Sequence, residues 1–295
     1  GDTEFVKKLA KAGTANDIAI YNHSSSEGVL TYVHSLSEKI HTLLQVIGMT
    51  DLPVIWLSQL TPAVGEQIVA LDAAGFLHGL IIADGVPQEQ ITQLVKGSSL
   101  EAFDIISNDI AELRQRILKA EIKHADSQPW VPVDNYFEVK GVGTVVLAVV
   151  KHGRIKKYDM LRLEPLGKEV LIKGVQSQDK DVQEAETGTR VGLNIKGAEP
   201  DELKRGNVIC KEAKVSKEVK VLFTKSKYSK EQVENGSQLF VAADLQVIAA
   251  TVVEMQNDKI SLRLEQPLAY QPGQKCIFAS TKQLLPRILG SGFLE

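Results

Sequence analysis

The stretch from Asp134 to Ile209 leaves the chain few ways to fold. Glycines stand at positions 141, 143, 153, 167, 174, 188, 192, 197 and 206, so turns and close backbone approaches recur at short intervals. Between them Val145, Leu147 and Val149 alternate with Val146, Ala148 and Val150. The run is apolar on both faces, as a central strand is, and no helical period runs through it. Short strands joined by glycine turns predict a small closed β-barrel, with six strands as the plainest form.

Four motifs occur in order inside this stretch. They are Gly141-Val142-Gly143-Thr144-Val145, Gly153-Arg154-Ile155-Lys156, Gly188-Thr189-Arg190-Val191-Gly192-Leu193 and Arg205-Gly206-Asn207-Val208. Their order resembles the second domain of translational GTPases of the elongation factor Tu type. One such motif is weak, but four in order over roughly seventy residues are specific. Val142 stands where many members carry Arg, and Tyr158 stands where a turn usually carries Gly. The second departure matters, because Tyr tolerates a positive φ poorly. Arg190 matches a family Arg, and its expected role is to hold the barrel together.

Further on, residues 217–223, 239–243, 246–255, 259–264 and 274–279 read as strands, with Asn257-Asp258 as a hairpin turn. Gln266-Pro267-Leu268-Ala269-Tyr270 and the segment from Pro286 to Leu294 resemble the third domain of the same factors. The nearest likeness is to selenocysteine-specific and archaeal elongation factors and to the gamma subunit of initiation factor 2.

Residues 1–126 alternate between helix and strand. Helices are expected at 5–12, around Ile40, Leu43, Leu44 and Ile47, and at 65–74, 88–95 and 109–124; strands at 18–21, 29–33, 53–57, 80–83 and 103–106; and a turn over 13–17. Such alternation implies a mostly parallel sheet covered on both faces. The expected fold is therefore α/β plus all-β. A GTPase-like, P-loop-type domain (1–126) precedes two β-barrels (134–211 and 214–295). Pro129 and Pro132 break the chain at the first linker, where Trp130 is expected to pack at the domain junction. The second linker lies near Glu212-Ala213.

The resemblance implies GTP chemistry that the residues do not supply. A phosphate loop needs Gly-x-x-x-x-Gly-Lys-[Ser/Thr], so that backbone N–H groups and a Lys neutralise phosphate and a hydroxyl holds Mg²⁺. Laid against the family, Asp2 takes the Lys position and Thr3 follows it, a nucleotide-binding remnant in which a carboxylate would repel phosphate. His34-Ser35-Leu36-Ser37 stands where Asp-x-x-Gly should sense the γ-phosphate, and Ala83-Asp84-Gly85-Val86 where Asn-Lys-x-Asp should read guanine. Only Ser107 is reminiscent of the last guanine loop. No catalytic residue is assigned. No cofactor is expected, unless a strand and phosphate loop precede Gly1 and admit GTP and Mg²⁺. The six histidines and two cysteines form no His-x-x-x-His or Cys-x-x-Cys, so no metal site is expected. Cys210 and Cys276 read as buried free thiols of a reducing cytoplasm.

Charge is unevenly spread. Residues 1–133 hold 9 Lys and Arg against 16 Asp and Glu, and residues 134–295 hold 25 against 21. Any polyanion should meet the C-terminal part. Lys214, Lys217, Lys220, Lys225, Lys227 and Lys230 suggest a phosphate-contacting RNA track; the plainer alternative is a solvated edge strand. In relatives the aminoacyl end of tRNA sits against the second barrel, which implies Gln176, Ser177 and Gln178 as a second RNA contact. No run of eighteen apolar residues occurs, so no membrane span or signal peptide is expected and the location should be cytoplasmic. Three readings stay open: a translation-factor homologue that binds tRNA or the ribosome without hydrolysing GTP, a GTP-binding factor of the selenocysteine-specific kind, and a protein-interaction scaffold.

Overall fold

A computed structural model describes residues 3–25, 28–120 and 127–295. Two compact units are distinguished: Gly1–Ile122 with Phe223–Val233 and Lys275–Gly292, and Lys123–Leu222 with Glu234–Gln274 and Phe293–Glu295.

The first unit opens with α1 (Thr3–Leu9), β1 (Lys11–Ala15), β2 (Ile18–Ser25) and β3 (Gly28–Ser35), followed by α2 (Ile40–Met49), β4 (Val54–Leu57) and α3 (Pro62–Ala74). Then come β5 (Leu80–Ala83), α4 (Gln88–Val95), β6 (Asp104–Ser107) and α5 (Ile110–Lys119). Strands β4, β5 and β6 pair in parallel, as the alternation predicts. The first three strands instead form an antiparallel meander, β1-β2-β3. The meander corrects the reading of 5–12 as helix and 13–17 as turn: α1 stops at Leu9, residues 11–15 are strand, and the turn is confined to Asn16 and Asp17. Gly13 lets β1 approach β2, since a Cβ there would lie 3.0 Å from the Ile20 carbonyl oxygen.

Local chemistry sets the helix ends. Thr61 accepts from the Val64 N–H, Pro62 opens α3, and Gly75 at φ +74° closes it. Asp109 lies outside α5 as its cap, accepting from the Ala111 and Glu112 N–H groups, so the helix expected from 109 starts at Ile110; it ends at Lys119, and residues 121–124 of the expected helix lie outside the described residues. Phe5 and Leu9 of α1 join Leu80, Ile82, Ile106 and Leu113 in one apolar cluster, and the Phe5 ring stacks on Trp56 at 5.2 Å. Helix α3 also carries Glu66 to Arg287 of the third barrel. The Arg287 main-chain N–H and Nε donate to Oε1 at 2.8 and 2.9 Å, and Nη2 donates to Oε2 and to the Glu38 carbonyl oxygen. Both side chains are buried.

The second barrel runs β7 (Trp130–Val139), β8 (Gly143–Val149), β9 (Arg154–Lys156), β10 (Met160–Glu164), β11 (Lys168–Ser177), β12 (Lys180–Val182), β13 (Glu184–Glu186), β14 (Arg190–Lys196) and β15 (Val208–Cys210). Six strands pair in the order β10-β15-β7-β8-β14-β11, and β10 pairs β11 to close the ring. Val146, Ala148 and Val150 point into its core with Val131, Leu163, Ile172 and Leu193. Gly153, at φ +68°, is required twice over, since a Cβ would meet the Ser127 carbonyl oxygen at 2.4 Å. A bulge between Val133 and Asn135 turns Asp134 inward, where its Oδ2 accepts from Nε and Nη2 of Arg190. Arg190 thus holds the barrel together, as expected of it.

The third barrel consists of β16 (Lys214–Lys225), β17 (Gln238–Ala243), β18 (Gln246–Gln256), β19 (Lys259–Tyr270), β20 (Lys275–Ser280) and β21 (Ile288–Leu294), closed in the order β16-β19-β18-β17-β20-β21. Trp130 is 1% exposed, and its Nε1 donates to Asp244 Oδ2 at 2.7 Å, so the second barrel meets the β17–β18 turn of the third through it. Cys210 and Cys276 are buried free thiols, each pushed up to about 12 chiefly by desolvation.

Candidate functional site

In an open α/β sheet, ligands bind beyond the carboxyl ends of the parallel strands. Here those ends are Leu57, Ala83 and Ser107. The groups just past them are already engaged. Asp84 donates its N–H to the Leu57 carbonyl oxygen, and its Oδ2 accepts from Trp56 Nε1 at 3.0 Å. Gly85 turns at φ +89° and Val86 is buried. Ser107 Oγ donates to Glu112 Oε2, and the Asp109 carboxylate caps α5. At the end of β3, His34 is buried and Ser35 Oγ donates to the Ser37 carbonyl oxygen at 2.6 Å. Asp84, Asp109 and Glu112 thus line this rim with carboxylates, and those of Asp84 and Asp109 accept hydrogen bonds from the protein itself. Asp2 lies outside the described residues. Thr3 is the first residue of α1, and only its backbone is described.

The two RNA-contact candidates fall in different units. Gln176 and Ser177 end β11, facing Asp181 and Lys180 of β12, and Gln178 lies in the turn between the two strands. Gln178 and Asp179 both have positive φ, 54° and 60°. Gln176 Nε2 donates to Asp181 Oδ1 at 2.9 Å, which leaves its carbonyl oxygen pointed elsewhere.

The lysines do not form one line. On β16, Val219, Val221 and Phe223 point inward while Lys220, Leu222 and Thr224 are exposed. A register shift between Ser216 and Glu218 separates Lys214 from that row. Lys225 Nζ donates to Gln232 Oε1 at 3.3 Å. Lys227 donates to the Gly97 carbonyl oxygen and stands 4.9 Å from the Tyr228 ring centroid. Lys230 is exposed beyond the strand. The edge-strand alternative fails, because β16 is paired on both sides within a closed barrel.

One surface was flagged by the sequence only as an anomaly. Lys156 accepts at its carbonyl from the Asp159 N–H, closing a tight turn whose third residue, Tyr158, has φ +73°. That is the position a type II turn gives to Gly. The turn is held by three further bonds: Lys157 N–H to the Gln183 oxygen, Tyr158 N–H to the Ile172 oxygen at 2.7 Å, and Lys156 N–H to Asp159 Oδ2. Tyr158 is 68% exposed, Met160 beside it is 60% exposed, and Lys157 Nζ lies 5.1 Å from the Tyr158 ring centroid.

Comparison with known proteins agrees with the barrel reading. Residues 143–210 match the family described as Elongation factor Tu domain 2. An uncharacterized protein of Methanocaldococcus jannaschii is 32% identical, with 98% of this chain and 95% of that protein covered. The selenocysteine-specific elongation factor of the same organism is 31% identical over 91% of this chain, which spans 55% of that factor's length. Among solved structures, translation elongation factor SelB from Methanococcus maripaludis in complex with the GTP analogue GppNHp superposes with a TM-score of 0.82 at 20% identity, over 99% of this chain and 76% of that one. A bacterial selenocysteine-specific elongation factor gives 0.79 at 19%, over 99% of this chain and 53% of that one. These two likenesses are likenesses of fold.

Proposed function

The chain belongs to the elongation factor Tu-like translational GTPase family, and from that premise we propose that it is a translation-factor homologue that engages tRNA or the ribosome without binding or hydrolysing GTP. The observation that carries this reading is the state of the β4–β6 rim. Asp84 is committed to Trp56 and Ser107 to Glu112, so the groups at the guanine-reading positions bond to the protein itself. Asp2 at the phosphate-loop Lys position adds a like charge against phosphate. The domain is in this sense a pseudo-GTPase. RNA engagement draws on the charge split, since residues 134–295 carry the excess of Lys and Arg. Among the described residues no helix is long and apolar enough to cross a membrane.

Titration with a fluorescent GDP analogue tests the first half. No saturable binding at micromolar concentrations is expected; binding competed by GTP and not by ATP would sink it. Filter binding of tRNA at two salt concentrations tests the second half. Changing Lys225, Lys227 and Lys230 together to Ala should remove up to about three phosphate contacts and flatten the salt dependence accordingly. Gln176→Ala should weaken acylated tRNA more than uncharged tRNA. Absence of salt-sensitive binding by the unmodified protein would leave the protein-interaction reading in its place.

A further inference from the structure

We propose that the turn at 156–159 of the second barrel is a stacking platform for an unpaired nucleobase of single-stranded RNA. Tyr158 is the ring, and Lys157 and Lys173 hold the flanking phosphates. This deepens the RNA half of the function proposed above and rests on it.

Three observations converge on this turn. Its third residue keeps a left-handed backbone that favours Gly, yet it is Tyr. Strain of that kind persists only where the surroundings fix it, and here four hydrogen bonds pin residues 156–159 in place. The side chain contributes little packing in return, because Tyr158 is 68% exposed. A strained position that presents a large ring to solvent therefore suits a ligand better than it suits the fold.

The neighbouring charges say which ligand. Lys157 sits against the ring at 5.1 Å, and Lys173 is exposed on β11 directly after Ile172, whose carbonyl binds the Tyr158 N–H. The carboxylates nearby are committed elsewhere: Asp159 to the Lys156 N–H, Glu184 to Arg154 and Lys156, and Glu186 to Arg154. Among the described residues neither Lys157 nor Lys173 pairs with a carboxylate, so positive charge flanks an aromatic face. That combination recognises single-stranded nucleic acid, in which bases stack on the ring and phosphates meet the cations. A protein partner would be expected to fill a desolvated pocket, and two exposed apolar side chains, Tyr158 and Met160, among lysines do not form one.

The test uses the full chain and a twelve-nucleotide uridine RNA carrying one central 2-aminopurine, whose fluorescence falls when it stacks. The unmodified protein should bind it at low salt with quenching. Tyr158→Gly supplies the residue the turn prefers, so folding is not at risk. It should weaken binding by between about fivefold and about a hundredfold and abolish the quench. Tyr158→Phe should keep both. Lys157→Ala with Lys173→Ala should lower the salt slope by about 1.4. Unchanged quenching with Tyr158→Gly overturns the platform. If tRNA binding depends on Lys225, Lys227 and Lys230 while the oligonucleotide ignores Tyr158, the platform alone falls. If no RNA binds at all, the function proposed above falls with it. Loss of ribosome binding in Tyr158→Gly without any oligonucleotide binding would assign the ring to a protein contact and likewise overturn the proposal.

Discussion

Glu66→Ala should be the most damaging single change in the first unit. Arg287 donates through its main-chain N–H, Nε and Nη2 to this one carboxylate, with Nη2 also reaching the Glu38 carbonyl oxygen. The side chains are 10% and 4% exposed, so water cannot replace the carboxylate. Breaking a buried pair by removing one partner costs about 3–5 kcal/mol, because the other charge stays buried without compensation. At about 2–4 °C per kcal/mol for a chain of this size class, the midpoint of thermal unfolding should fall by roughly 6–20 °C. The double variant Glu66→Met with Arg287→Leu separates charge from contact. It removes the orphaned guanidinium, leaving the main-chain N–H at 287 without its acceptor, a loss of about 1–3 kcal/mol, and the Glu38 carbonyl oxygen without the Nη2 donor. The double variant should therefore be more stable than Glu66→Ala alone. Urea unfolding followed by circular dichroism measures both. A Glu66→Ala protein within about 1 kcal/mol of the original, or a double variant less stable than the single, would refute the argument.

Two further outcomes follow from titratable groups wholly or partly withdrawn from water. Burial first, then the positive charges of Lys39 and Arg287, hold His41 below the usual histidine value. The unfolded chain then binds its proton more readily, so stability should fall as pH drops below about 6.5 and level off under the folded value. His41→Gln should make that fall shallower in urea midpoints measured between pH 7 and pH 5. Cys210 and Cys276, pushed up to about 12, stay protonated at pH 8, so an aromatic disulfide reagent should label neither thiol until denaturant is added. Rapid labelling of the native protein would contradict their burial.

The features that were legible in the sequence are those set by neighbours along the chain. Glycines and two-faced alternation disclose the second barrel, and Gln88 to Val95 reads as a helix and is one. The short strand β1 was hidden because five residues after a helix carry no period of their own, and its pairing with β2 decides the matter. The helix expected over 109–124 starts one residue later because Asp109 spends its carboxylate on the first turn from outside it; α5 closes at Lys119 with Ala120 extended, and residues 121–124 lie outside the described residues. Pairs made across the chain were not legible at all. Glu66 and Arg287 stand 221 positions apart, and Trp56 and Asp84 stand 28 apart. The lysines illustrate the opposite error, since closeness in sequence suggested one track that the pleat, the register shift and the Lys227–Gly97 bond divide. Tyr158 lies between these cases. Its departure from the family's Gly was visible, but its meaning needed the backbone. A Tyr that had relaxed to negative φ would have reopened the turn and been unremarkable. Because the turn keeps its shape around the wrong residue, the backbone that carries the ring is held in place by its surroundings, and an exposed ring on a fixed backbone is what stacking requires.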